Sequence, residues 1–206
     1  MDQPDSPPTE KRDLVIAAAE AEFRENGYAA ASMDRVTARA GVSKRTVYRY
    51  FESKEALFHA IVANLWGRFA DSLDLHYEKG RDIRDQLTDL ARAEGDLLSS
   101  EDTMMMVRMV MSEVLRRPEL AETMQDKIDF RASFVDMLQQ ASDDGQLRVE
   151  DPALAADEFL ALIKAKAFWP VVMGEPVISR TEMDRIIASS VEMMMCRYGI
   201  GDNGRA

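Results

Sequence analysis

The chain has one cysteine, Cys196, in 206 residues, so no disulfide can close within it. Two histidines, His59 and His76, with no phosphate-cradling glycine loop and no paired metal-ligand motif, leave little from which to build a reaction centre. The expectation is a protein that is not an enzyme and holds no cofactor and no metal. No apolar run approaches the roughly 20 residues that a membrane-spanning helix needs. The opening MDQPDSPPTEK is polar, acidic and proline-rich, unlike a signal peptide, so a cytoplasmic protein with no membrane partner is expected, with residues 1–8 as a disordered arm. No segment alternates with the two-residue period of a strand. Net basic charge is lacking too: 26 Lys and Arg stand against 37 Asp and Glu, a formal charge of −11, which disfavours nucleic acid over the surface as a whole.

What is present is a hydrophobic content of 46%, enough for a helical chain of this length to bury a core, and an uneven distribution of the charge. Residues 9–58 carry +1, residues 1–8 carry −2, and the remainder carries −10. An acidic body behind a locally basic head repels DNA everywhere except at the head.

The head is legible in SMDRVTARAGVSKRTVYRYFESK, residues 32–54. Ser32 can cap a first helix whose inward face is Val36 and Ala40, and Gly41 can end it in the left-handed conformation. Val42 can pack into the turn, and Ser43 can cap a second helix running from about Lys44 to Tyr50. Within that helix Val47 and Phe51, four apart, share a buried face. Lys44, Arg45, Thr46, Tyr48 and Arg49 are then turned outward. Guanidinium and ammonium groups bond guanine edges or phosphates, and tyrosine and threonine hydroxyls reach phosphates, so this surface suits a DNA groove. Two other readings stay open on pattern alone: a helical hairpin with a solvated basic face, and a helical interaction module that binds no DNA.

Residues 13–63 resemble the N-terminal domain of the TetR/AcrR family of bacterial regulators. The resemblance rests on Ala18, Ala19 and Phe23 of an AA-x-x-x-F helix, on N-G-Y at Asn26 to Tyr28, and on Ser32-Met33, Val36, A-G-V-S, T-V-Y-x-Y-F and S-K-E-A-L-F in order. It implies a three-helix DNA-binding domain with Lys44, Arg45 and Thr46 at base edges, Tyr48, Tyr50 and Lys54 on phosphates, and Arg49 on either. Ser32 and Thr37 are implied to touch the backbone, because a helix start favours anions. Relatives often have glycine or proline where this chain has Arg45, so the operator sequence does not carry over from them.

Beyond residue 58 helical periodicity continues, and the expectation is an all-α protein in which a helix-turn-helix domain (9–58) precedes a larger helical effector-binding and dimerisation domain (59–206). A long helix from Ser53 towards His76 carries Leu57, Ile61, Leu65, Phe69 and Leu73. A second body helix is marked by Ile83, Leu87, Leu90, Ala91, Leu97 and Leu98. A third is marked by Met105, Met109, Val110 and Val114 and ends before Pro118. A fourth carries Leu120, Met124, Ile128, Phe134 and Leu138 up to the turn Asp143-Asp144-Gly145. Asp151-Pro152 caps a fifth through Leu154, Phe159, Leu162, Ile163 and Phe168, with Trp169-Pro170 as a kink or an end. Ser179 and Glu182 are spaced as a capping box for a last helix with Met183, Ile186, Ile187, Ser190, Val191 and Met194 on one face.

The stretch VRMVMSEVLRRPELAETM resembles the C-terminal domain of a TetR subgroup called AefR-like or AcrR-like. The resemblance implies a homodimer through the two C-terminal helices, a palindromic operator as partner, and release from it by a small, mainly apolar effector. Phe69, Leu73, Met109, Phe134, Phe168 and Trp169 are the candidates to line the effector pocket, since methionine and aromatic side chains adapt to varied apolar ligands. Repression is the implied mode and activation the alternative.

Overall fold

The structure is a computed structural model and describes residues 8–72, 76–118, 120 and 130–200. Its regular structure is helical: α1 (Pro8–Ala30), α2 (Met33–Ala40), α3 (Lys44–Tyr50), α4 (Lys54–Ser72), α5 (Ile83–Leu98) and α6 (Glu101–Arg116), then α7 (Phe130–Asp143), α8 (Pro152–Ala167), the short α9 (Trp169–Val172) and α10 (Arg180–Tyr198). Among the described residues there is no strand, only an isolated antiparallel bridge between Leu147 and Gly199. No described helix is long and apolar enough to cross a membrane.

These helices form two compact units, Met1–Trp66 with Met105–Lys127, and Gly67–Met104 with Ile128–Ala206. The sequence reading makes one cut after residue 58, whereas here the chain returns to the first unit along α6. Both α4 and α6 therefore contribute residues to the two units.

The core of the first unit is built from α1 to α4. Val15, Ala19, Phe23, Val36, Val47, Leu57, Phe58 and Ile61 are all fully buried. Phe23, Tyr28 and Phe58 form an edge-to-face series, with centroids 5.4 Å and 5.0 Å apart, the geometry that ring quadrupoles favour. α1 bends at Gly27, whose φ of 72° and ψ of 160° suit a residue without a Cβ, and this bend turns Tyr28 towards Phe58.

In the second unit α7 packs on α8, and α10 packs on both α5 and α8. Phe134 of α7 and Phe159 of α8 meet at 5.6 Å with their planes tilted by 52°. α10 comes close to α5 at Gly95, where a Cβ would sit 2.9 Å from Cγ of Met183. The helix starts follow the expected chemistry. Asp151 accepts from the Leu154 amide at 3.0 Å ahead of Pro152, and Ser179 accepts from the Glu182 amide at 3.2 Å. The capping box is half made, because the Glu182 carboxylate pairs with Arg185 at 3.3 Å.

Several side chains depart from the expected faces. Met105 is exposed while Met104, Met106 and Val107 are buried, because three consecutive methionines cannot all point inward on a 3.6-residue period. Leu154 is exposed, and Leu97, Leu162 and Val114 are half-buried. α8 stops at Ala167 and α9 restarts at Trp169 with Pro170 in its first turn, so Trp169-Pro170 marks an end and a restart. Met124, Ile128 and the arm of residues 1–7 lie outside the described residues.

The second core is tested by Phe159→Ala. A fully buried ring replaced by a methyl should cost about 3 to 5 kcal/mol by denaturant unfolding. A loss under about 1 kcal/mol would mean that this ring is not central to the packing.

Candidate nucleic-acid interface

The turn between α2 and α3 is made by three residues. Ser32 Oγ accepts from the Arg35 amide at 3.2 Å and starts α2. Gly41 ends it in the left-handed conformation, φ 65° and ψ 24°, with its amide on the Ala38 carbonyl. Ser43 Oγ accepts from the Thr46 amide at 3.1 Å and lies 2.8 Å from the Thr46 hydroxyl, which starts α3. Losing one such cap costs about 1 kcal/mol, a large share for helices of eight and seven residues that cannot persist alone.

A buried carboxylate fixes α2 against α1. Glu22 is 1% exposed and accepts from Arg35 Nε at 2.6 Å, from Asn26 Nδ2 at 3.2 Å and from the Ser32 amide at 3.4 Å. Arg39 lies 3.9 Å from its second oxygen and makes a forked pair with Glu25 at 2.9 and 2.5 Å. The forked bond from Arg39 holds the Glu25 carboxyl below the ordinary carboxylate range. Sequence reasoning did not single out Glu22. Its signal was its register, because it falls on the inward stripe of Ala18, Ala19 and Phe23, where a carboxylate is unexpected without a partner.

On this support α3 buries Val47 and exposes Lys44, Arg45, Tyr48 and Arg49 on one surface. Lys44 is paired with Asp34 at 2.7 Å, which raises its pKa, and both groups are well exposed. Arg49 stacks on Tyr50 at 4.9 Å and donates to its hydroxyl at 3.1 Å. Arg45 is exposed and makes no ion pair or hydrogen bond among the described residues. Thr46 is half-buried against its cap, and Thr37 donates back to the Met33 carbonyl at 2.7 Å.

Lys54 is placed differently from the expectation of a phosphate contact. Its ammonium donates to the carbonyls of Tyr28, Ala29 and Ala31 at 2.7, 3.2 and 3.1 Å, which commits all three of its protons to the α1–α2 corner. A phosphate would have to displace one of them.

Of the expected effector residues, Phe134, Phe168 and Trp169 belong to the second unit and Met109 to the first. Phe134 is fully packed against Phe159, and Trp169 is 51% exposed with Phe168 edge-on at 5.0 Å. Trp169 therefore departs from the expectation of an enclosed lining residue, because α9 restarts there and turns its first residue outward. Met109 is buried in the first unit. Leu73 and the side chain of Phe69 lie outside the described residues. The second unit does hold an apolar groove of about 320 Å³ between α8 and α10, lined by Phe159, Leu162, Met193, Met194, Tyr198 and their neighbours.

A helix-turn-helix whose second helix is capped, buried on one side and cationic on the other defines a DNA-binding module. Residues 15–61 match the model of bacterial regulatory proteins of the tetR family, and residues 85–200 match the AefR-like transcriptional repressor C-terminal domain. The chain belongs to the TetR family of transcriptional regulators, which are not enzymes. A TetR-family regulator from Pseudomonas syringae pv. tomato is 33% identical, with a TM-score of 0.77 over 93% of this chain and 98% of that one. The flavonoid-responsive regulator FrrA is 27% identical, with a TM-score of 0.76 over 94% and 99%. The transcriptional activator FasR of Mycolicibacterium smegmatis is 43% identical over 56 residues, which is 27% of this chain and 26% of FasR.

The Glu25–Arg39 pair gives the interface a defined response to acid. A carboxyl with a depressed folded pKa stabilises the fold above its unfolded pKa, and that contribution disappears as pH falls through the folded value. The tie between α1 and α2 should therefore persist at neutral and mildly acidic pH. An NMR titration of Glu25 should give a midpoint below the free-glutamate value, and Arg39→Ala should bring it back up. An unchanged midpoint in that variant would exclude the pairing in solution.

Proposed function

We propose that the protein is a dimeric repressor that reads a palindromic operator with α3 and is released by a small, mainly apolar effector. One observation carries the reading: α3 presents Arg45 and Tyr48 on a rigidly capped helix. Arg45 is the base-edge reader with Lys44 and Thr46, and Tyr48, Arg49 and Tyr50 contact phosphates. Lys44 serves by exchanging Asp34 for DNA, because an exposed pair is weak and yields to a phosphate or a guanine. Ser32 and Thr37 contribute through the start of α2, where free amides and the helix dipole favour a phosphate.

The dimer seam lies on α8 and α10. Both are long, they pack on one another, and their outer side carries the apolar groove together with exposed Leu154 and Met193. An isologous pairing would fill that groove and set two reading helices at the spacing of two half-sites, roughly 34 to 36 Å or a multiple of it. Repression is favoured by the match of residues 85–200 to a repressor C-terminal domain. Activation is the second reading, which the likeness to FasR favours. A flavonoid-responsive relative accords with an aromatic, largely apolar effector.

Operator DNA selected from genomic fragments provides the test, with titrations at several salt concentrations. Arg45→Ala should weaken binding by about 1 to 3 kcal/mol and relax preference at one position of each half-site. Tyr48→Phe should weaken all sequences alike. Equal binding of wild type to selected and scrambled DNA at every salt concentration would defeat the operator reading. The seam has its own test, because Leu162→Glu with Met193→Glu should give monomers by sedimentation. A wild-type monomer at micromolar concentration would count against the dimer.

A further inference from the structure

Tyr28 carries two cations on its ring. Lys54 Nζ lies 4.5 Å from the centroid and Arg117 Cζ lies 4.8 Å from it. Lys54 belongs to the corner, since it binds three carbonyls between Tyr28 and Ala31. Arg117 comes from elsewhere in the sequence. It is the first residue after α6, and its amide bonds the Glu113 carbonyl at 2.9 Å, so its backbone is fixed to the last turn of that helix. Its guanidinium reaches Glu55 at 3.8 Å and Glu113 at 3.7 Å, both too long for hydrogen bonds, and its buried Nη2 has no hydrogen-bond partner. The guanidinium is thus held chiefly by Tyr28, through the ring face and a side-chain hydrogen bond, with Glu55 and Glu113 at ion-pair distance.

The ring in turn holds the corner that leads to the reader. Tyr28 is wedged edge-on against Phe23 and Phe58, and four residues later Ser32 caps α2 and donates its amide to Glu22. α6, which positions Arg117, begins at Glu101, and its first four residues belong to the second unit. One helix thus carries residues of that unit at its start and the Tyr28 contact just beyond its end.

We propose that Arg117 is a positioning residue for operator recognition, which acts through its contact with Tyr28 and so fixes the α1–α2 corner that leads to the reading helix. The inference rests on the operator reading above. Arg117 touches no DNA in this scheme, so its loss should lower affinity for the operator without altering the number of phosphates neutralised.

The experiment is an operator titration over several salt concentrations with the full-length chain. It compares wild type, Arg117→Gln, Arg117→Lys and Tyr28→Leu, each of the two Arg117 substitutions being made also in the Tyr28→Leu background, with thermal midpoints recorded for all. Arg117→Gln should lose about tenfold in affinity, and Arg117→Lys, which keeps the charge but not the stacking plane, about threefold. The salt slope should stay at the wild-type value, and in the Tyr28→Leu background neither Arg117 substitution should cost more. Should Arg117→Gln fail to fold, Arg117→Lys alone carries the comparison. Wild-type affinity in the Arg117 variants, losses that persist in the Tyr28→Leu background, or a reduced salt slope would overturn the proposal while leaving the operator reading standing. A wild type that selects no DNA would defeat the operator reading and this inference together.

Discussion

Glu22 is a carboxylate with almost no access to water, and burying that charge alone would cost several kcal/mol. It is offset by an arginine, an asparagine and a backbone amide, drawn from α1, from the N-cap of α2 and from α2 itself. The Arg35 and Ser32 bonds tie the short helix that supports the reader to α1, while the Asn26 bond lies within α1 and holds the carboxylate in place. Charge-assisted bonds are roughly twice as strong as neutral ones, so this group adds direction to the non-directional burial of Val36. α3 inherits that orientation through a turn only three residues long, with Gly41 in the conformation that lets the chain reverse.

The outer cations of the head divide by what they are bound to. Arg35 and Arg39 hold α1 to α2 through Glu22 and Glu25, and Lys54 holds the corner before α2. They are structural cations in an apparently basic stretch, which explains how a segment of net charge near zero can carry a specific reading surface. The remaining groups are paired loosely or unpaired. Lys44 faces an exposed aspartate, Arg49 lies on its neighbouring tyrosine, and Arg45 is unpaired among the described residues. The affinity available from the head is thus smaller than a count of Lys and Arg implies, which makes two heads per operator more valuable.

The helix-turn-helix was legible because caps, turn glycine and a four-residue apolar spacing are local signals, and Ser32, Gly41, Ser43 and Val47 behave as those signals require. The helix starts at Asp151 and Ser179 were legible for the same reason. What escaped depends on partners distant in sequence. Lys54 was expected on a phosphate because exposure was assumed, yet its partners lie 23 to 26 residues earlier. Arg117 sits in a polar RRPE run that reads as a solvated helix end, and nothing nearby marks Tyr28 as its partner. Met105 was misplaced because a run of methionines carries no internal phase.

Regulation in a chain of this kind needs little energy. An effector that changes operator affinity fivefold to 150-fold requires a coupling of only about 1 to 3 kcal/mol between its site and the reader. A cation stacked on a partly shielded ring contributes about 0.5 to 2 kcal/mol, which is the same scale. A hydrophobic interface of many residues would be too stable to be remade by one small ligand, and an exposed ion pair would be screened by the salt that DNA binding already contends with. A guanidinium on an aromatic face lies between those limits: it is directional, and weak enough to be lost at the energy that one ligand supplies.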